Sequence, residues 1–287
     1  MGLCNLLDVK KIRIGLALTG FSLFAILILR FVRVPFMDPN GNASGVAAFV
    51  VMGLVFLYFI KRFNLPTLAY FGLPTKTFAS FIALVIASTT NISQIFKQEN
   101  EMKPWKVAIP GFIFLLSVGF GEEMVSRGFV FGVLKARSLK AAIFISALLF
   151  GLMHLNLYVG HNWDPWLAYW HVASAFCFGV FICAVMVATQ SIWVAVLFHA
   201  LADWNLVFAK VSSSHKKVPP VSISFWEGLA SPAGDVIFLL MPALLILFLH
   251  SKRRIWLPNF VRRVGRSVAE RFKLLEDEAP VLPLASN

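Results

Sequence analysis

Acidic side chains are scarce in this sequence of 287 residues: Asp and Glu together number 14, and all charged residues make up 14% against 59% hydrophobic ones. A soluble domain covers itself with polar side chains, so this poverty excludes a soluble enzyme and a solvated, disordered chain alike. Cysteine is nearly missing as well. Two of the three, Cys177 and Cys183, share one apolar run and Cys4 stands alone, leaving no framework for disulfides or a zinc ribbon. Phe is what abounds, its 29 copies outnumbering Lys and Arg combined at 26. The formal charge of +12 sits in short clusters between apolar runs, which points to anionic lipid as partner and away from nucleic acid.

A chain crosses a bilayer as helices of about 20 mostly apolar residues, because its backbone must satisfy its own hydrogen bonds there. Eight such runs can be read: Ile14 to Leu29, Ser44 to Ile60, Thr77 to Phe96, Val107 to Leu134, Leu139 to Tyr158, Pro165 to Thr189, Ser191 to Ala209 and Ala233 to His250. The expected fold is all-α, a polytopic membrane protein with about eight transmembrane helices and a polar layer inside the bundle. The first run follows Lys10, Lys11 and Arg13 and ends at Arg30 without a small-residue cleavage site, so it reads as a retained helix. Lys61, Arg62 and Lys76, then Lys135, Arg137 and Lys140, then Lys252, Arg253 and Arg254 mark one side of the membrane. That bias predicts a multi-pass protein of the cell membrane with both termini in the cytoplasm.

Four parts follow: a three-helix membrane segment (1–104), a four-helix core (105–210), a loop with the last transmembrane helix (211–250) and a basic cytoplasmic tail (251–287). In the tail, Arg262, Arg263, Arg266, Arg271 and Lys273 alternate with Leu257, Phe260, Val261, Val264 and Val268, a pattern suited to a helix lying on anionic headgroups.

Well inside the apolar runs, the acidic residues are Glu122, Glu123 and Asp203, with Asp235 at a helix start. Each such group costs about 2.5 kcal/mol or more in a bilayer and by default marks function or an internal pair. Glu123 and Arg127, four apart on a helix, can pair. Glu122, turned about 100° away, is left without that partner and suits a general base or acid. A purely structural Glu-Arg staple explains Glu123 and Arg127 but not Glu122. Phe150 and His154 share one helix face, and His199 and Asp203 share another. At about 1.5 Å per residue, Glu122, His154, His199 and Asp203 lie roughly 18, 21, 12 and 18 Å from the cytoplasmic ends of their helices, in one layer. His171, beside Tyr169 and Trp170, reads as interfacial, and Trp163, Trp166 and Trp170 as an aromatic belt.

The ordered set Glu-Glu-x-x-x-Arg (Glu122, Glu123, Arg127), Phe-x-x-x-His (Phe150, His154) and His-x-x-x-Asn/Asp (His199, Asp203) resembles the CAAX protease and bacteriocin-processing family (CPBP or Abi), which contains the Ras-converting CAAX endoprotease. The resemblance spans about Trp105 to Lys210. It implies an intramembrane endopeptidase in which Glu122 and His154 activate a water, and His199 with residue 203 stabilises the tetrahedral oxyanion. Glu123, Arg127 and Phe150 would support them. Better-known CAAX proteases carry Asn at that last position, and an ionised Asp cannot donate to an oxyanion. Asp203 is therefore protonated by burial, orients His199, or binds metal. Zinc held by Glu122, His154, His199 and Asp203 is the alternative to a metal-free mechanism, which the resemblance and the lack of His-Glu-x-x-His favour. The expected substrate is a membrane-held peptide with a lipidated or hydrophobic C-terminus. A non-catalytic bacteriocin-immunity or peptide-binding protein, and an ion-coupled transporter, are the competing readings.

Overall fold

The computed structural model describes residues 43–97, 104–157, 165–208, 225–230 and 232–252. The first apolar run, the loop residues His161, Trp163 and His215, and the tail from residue 253 lie outside the described residues. Within them the chain is helical, with no strand. Helices α1 (Ala43–Arg62) and α2 (Phe78–Lys97) lead to a continuous rod made of α3 (Trp105–Glu123), a π-helical turn (Met124–Val130) and α4 (Phe131–Lys135). Next come α5 (Leu139–Met153), a 3-10 turn (His154–Leu157), α6 (Pro165–Thr189), α7 (Ile192–Ala202) and α8 (Asn205–Phe208). Helices α9 (Phe225–Ala230) and α10 (Ala233–Asp235), a second π turn (Val236–Leu240) and α11 (Met241–Ser251) complete it.

The seven expected runs that fall within the described residues all fold as helix. Four stretches, Gly45–Arg62, Trp105–Lys135, Pro165–Thr189 and Phe225–Ser251, are long and apolar enough to cross a membrane, and Phe78–Ile92, Leu139–Met153 and Ile192–Phe208 are shorter apolar helices. Apolar on every side, α6 takes the centre, as a helix hydrophobic all round should. It packs against α2, α5, α7 and α11, and every residue from Gly179 to Thr189 is buried. The outer helices instead expose Leu54, Phe81, Ile109, Phe144 and Phe248, apolar surface of the kind a bilayer covers. Gln190, at φ 58°, turns the chain from α6 into α7 within two residues. α7 thus doubles back along α6 and carries its histidine into the bundle.

The helices of all three motifs depart from the regular geometry expected of them, each beside a motif residue. The rod is π-helical from Met124, directly after Glu123; α5 ends at Met153, not Tyr158, with His154 as its C-cap; α7 ends at Ala202 with Asp203 as its C-cap. Hydrophobic periodicity shows which face is apolar but not where the hydrogen-bond register slips. Side-chain hydroxyls support the π turn from outside: Thr67 Oγ1 donates to Gly128 O at 2.6 Å, and Ser146 Oγ to Ser126 O at 3.0 Å. π-turns of this kind occur often at functional sites. Thr67→Val keeps the shape and removes the donor, so it is expected to cost about 1–3 kcal/mol of stability, as for a buried acceptor left unpaired. Thermal unfolding in detergent checks this, and an unchanged midpoint would show that the turn does not need Thr67.

Candidate active site

Close backbone approach brings the first and third motifs together. A Cβ on Gly119 of α3 would lie 2.7 Å from Val196 O and 3.5 Å from His199 Cβ, so only glycine lets α3 and α7 meet at this distance. One turn further, Glu123 receives two donors on a single oxygen. Arg127 Nη1 donates to Glu123 Oε1 at 3.0 Å, and His199 Nδ1 donates to the same oxygen at 2.7 Å. A carboxylate can only accept, so Nδ1 carries the proton and Nε2 faces the other way.

On that other side, His199 Nε2 stands 3.7 Å from Glu122 Oε2 and 3.5 Å from Asp203 Oδ2. Exposure divides the cluster in two. The Glu123 and Arg127 side chains are 0% exposed and His199 4%, while Glu122 and Asp203 are 19% and 29% exposed. A dry ion pair therefore backs two partly exposed carboxyl groups. Glu122 stands outside the staple, as its place in the helix predicted.

Phe150 joins the second motif to the others. Its ring lies under the Arg127 guanidinium at 4.3 Å, with the His199 ring 5.6 Å and the His154 ring 5.0 Å from its centroid. Arg127 Nη2 also donates to Gly179 O of α6 at 3.3 Å, tying the rod to the central helix. His154 Nδ1 lies 2.9 Å from Phe150 O. A carbonyl only accepts, so Nδ1–H is the donor there and Nε2 carries the lone pair in the neutral ring.

Glu122, Glu123, Arg127, Phe150, His199 and Asp203 thus meet directly, and His154 reaches them across the Phe150 ring. Among the described residues no group of three or more His, Cys, Asp or Glu could hold a metal ion. Two features escaped the sequence. Glu123 orients His199 as well as pairing with Arg127, a contact 76 residues apart in the chain. His171, expected at the interface, places its ring 4.8 Å from that of His154. Its signal was the stripe His171, Ser174, Ala175, Phe178 at helical spacing, since Phe178 faces Phe150 and His199.

Residues 104–205 match the family model described as type II CAAX prenyl endopeptidase Rce1-like. This segment is Rce1-like. It covers about a third of the chain and holds all seven motif residues, from Glu122 to Asp203, as the resemblance implied. No curated protein and no solved structure matches the chain. The family so described is one of CAAX-type proteases, hence hydrolases, and this segment is similar to it. Together with four helices long and apolar enough to cross a bilayer, it makes the chain a membrane protein.

Proposed function

We propose that the chain is a multi-pass intramembrane endopeptidase that hydrolyses one peptide bond of a membrane-held peptide, using a glutamate-activated water. The observation that carries this reading is the arrangement around His199 Nε2, where two partly open carboxyl groups, Glu122 and Asp203, face one imidazole nitrogen. Distances of 3.5–3.7 Å are longer than direct hydrogen bonds, so neither carboxyl group is committed to the imidazole.

Glu122 takes a proton from water as its oxygen attacks the carbonyl carbon, with His154 Nε2 as a second acceptor. The carbonyl oxygen becomes an oxyanion. His199 in its imidazolium form donates to it from Nε2 while Glu123 holds Nδ1, with Asp203 Oδ2 3.5 Å from that nitrogen. Since Glu123 already orients His199, Asp203 is not needed for that task. The proton on Glu122 passes to the leaving nitrogen as the C–N bond breaks, giving a carboxylic acid and an amine, and the acid's proton then moves to the amine to leave carboxylate and ammonium. No step is routed through a metal. The similarity to CAAX prenyl endopeptidases supports a prenylated C-terminal peptide as the substrate class.

The test is cleavage of a farnesylated CAAX-ending peptide by the purified chain in phospholipid vesicles. His154→Ala and His199→Ala are each expected to lower the rate by about 10²–10³-fold, the usual range for a lost proton acceptor or oxyanion donor. Either variant cleaving at the wild-type rate would remove that residue from the mechanism. A wild-type protein that binds the peptide without cutting it would favour sequestration instead.

A further inference from the structure

Beside the carboxylate cluster lies a contact that the chemistry above does not use. Helices α5 and α6 approach closely at Gly151, where a Cβ would stand 2.7 Å from Val172 O and 3.2 Å from Phe176 N. Three residues after Gly151 comes His154, and one before Val172 comes His171. The close approach therefore brings two imidazoles into tilted contact, with centroids 4.8 Å apart and planes inclined by 52°. This is within the range over which aromatic rings attract each other. His154 needs the support. It caps α5 at the point where the helix tightens into a 3-10 turn, and it is only half-buried. Its Nδ1–H is held by Phe150 O and one ring contact is made by Phe150. One turn further along α6, Ser174 donates to Asp235 Oδ2 at the head of the last helical stretch, which fixes this side of α6 from behind.

We propose that His171 is a positioning residue for His154: packing of the two imidazoles, together with the Phe150 contacts, fixes the direction in which His154 Nε2 points. Its role in turnover rests on the endopeptidase reading; its effect on the ring does not. Removing the ring should release His154 without touching Glu122 or His199, so the chemical step slows while peptide binding persists.

The test uses the full chain in vesicles with the farnesylated peptide, comparing wild type, His171→Ala and His171→Phe. His171→Ala is expected to lower kcat about tenfold or more, as a misplaced group does, with KM changed less than about twofold. His171→Phe restores a ring and is expected to recover most of kcat. In parallel, nitrogen NMR of 15N-histidine-labelled protein should report His154 as a single Nδ1–H tautomer in wild type and His171→Phe, and as a tautomer average in His171→Ala. If the alanine variant fails to fold, His171→Leu, which has bulk but no ring, takes its place. His171→Phe as slow as His171→Ala at equal thermal stability, or a His154 signal indifferent to the alanine change, would overturn the proposal. A wild type that does not cleave but shows the expected tautomer pattern would sink the protease reading and leave the positioning intact.

Discussion

Glu122→Gln is expected to stop peptide cleavage, a loss of about 10²–10⁴-fold if the carboxylate is the general base, while the amount of folded, inserted protein stays at the wild-type level. The substitution is nearly isosteric, and an amide cannot accept the proton that the attacking water must lose. Folding should not suffer, because the bundle does not lean on this side chain. Glu123 alone accepts from both Arg127 and His199, and Glu122 keeps 19% of its side chain exposed at the edge of that pair. Single-turnover cleavage in vesicles, with thermal unfolding as control, separates the two effects. Wild-type turnover by the glutamine variant would mean that another group deprotonates the water.

The opposite signature belongs to Arg127. Arg127→Ala is expected to destabilise the chain by about 3–5 kcal/mol, the cost of breaking a buried pair by removing one partner. Four losses coincide there. Glu123 loses its 3.0 Å ion pair, Gly179 O loses its donor, Phe150 loses the cation 4.3 Å above its ring, and a cavity opens in the fully buried core. The rod, the central helix α6 and the ring that joins His154 to His199 all meet at this guanidinium. A large drop in the thermal midpoint and in yield from membranes checks the expectation. Ordinary stability would show that the staple is dispensable and that Glu123 serves His199 alone.

Much of this was legible from the residues. Long apolar runs can span a bilayer only as helices, so the described runs took helical form where composition placed them. A carboxylate inside such a run is costly, and that cost led to Glu122, Glu123 and Asp203 without any structure. Spacing of four gave the Glu123–Arg127 pair, which the fold realises as a 3.0 Å contact. The rest was hidden for identifiable reasons. Periodicity carries no information about register slips, so the π turn after Glu123 and the early ends of α5 and α7 were not foreseen. Long-range contacts have no local signature, so the second task of Glu123 was missed. The contact of His171 with His154 was not foreseen, because its neighbours Tyr169 and Trp170 are exposed. Neighbours in sequence point about 100° apart on a helix, and the inward stripe of His171, Ser174, Ala175 and Phe178 was the better guide.

The central claim is that Glu122 makes this chain a protease, and the most direct measurement compares the N- and C-termini of membrane proteins in host cells carrying wild type or Glu122→Gln at matched expression. The glutamate mechanism requires a set of new termini present with wild type and absent with the variant, which would identify the substrate and the cleaved bond together. Identical terminus sets, with both proteins inserted and folded, would contradict it and leave peptide sequestration as the better explanation of the site.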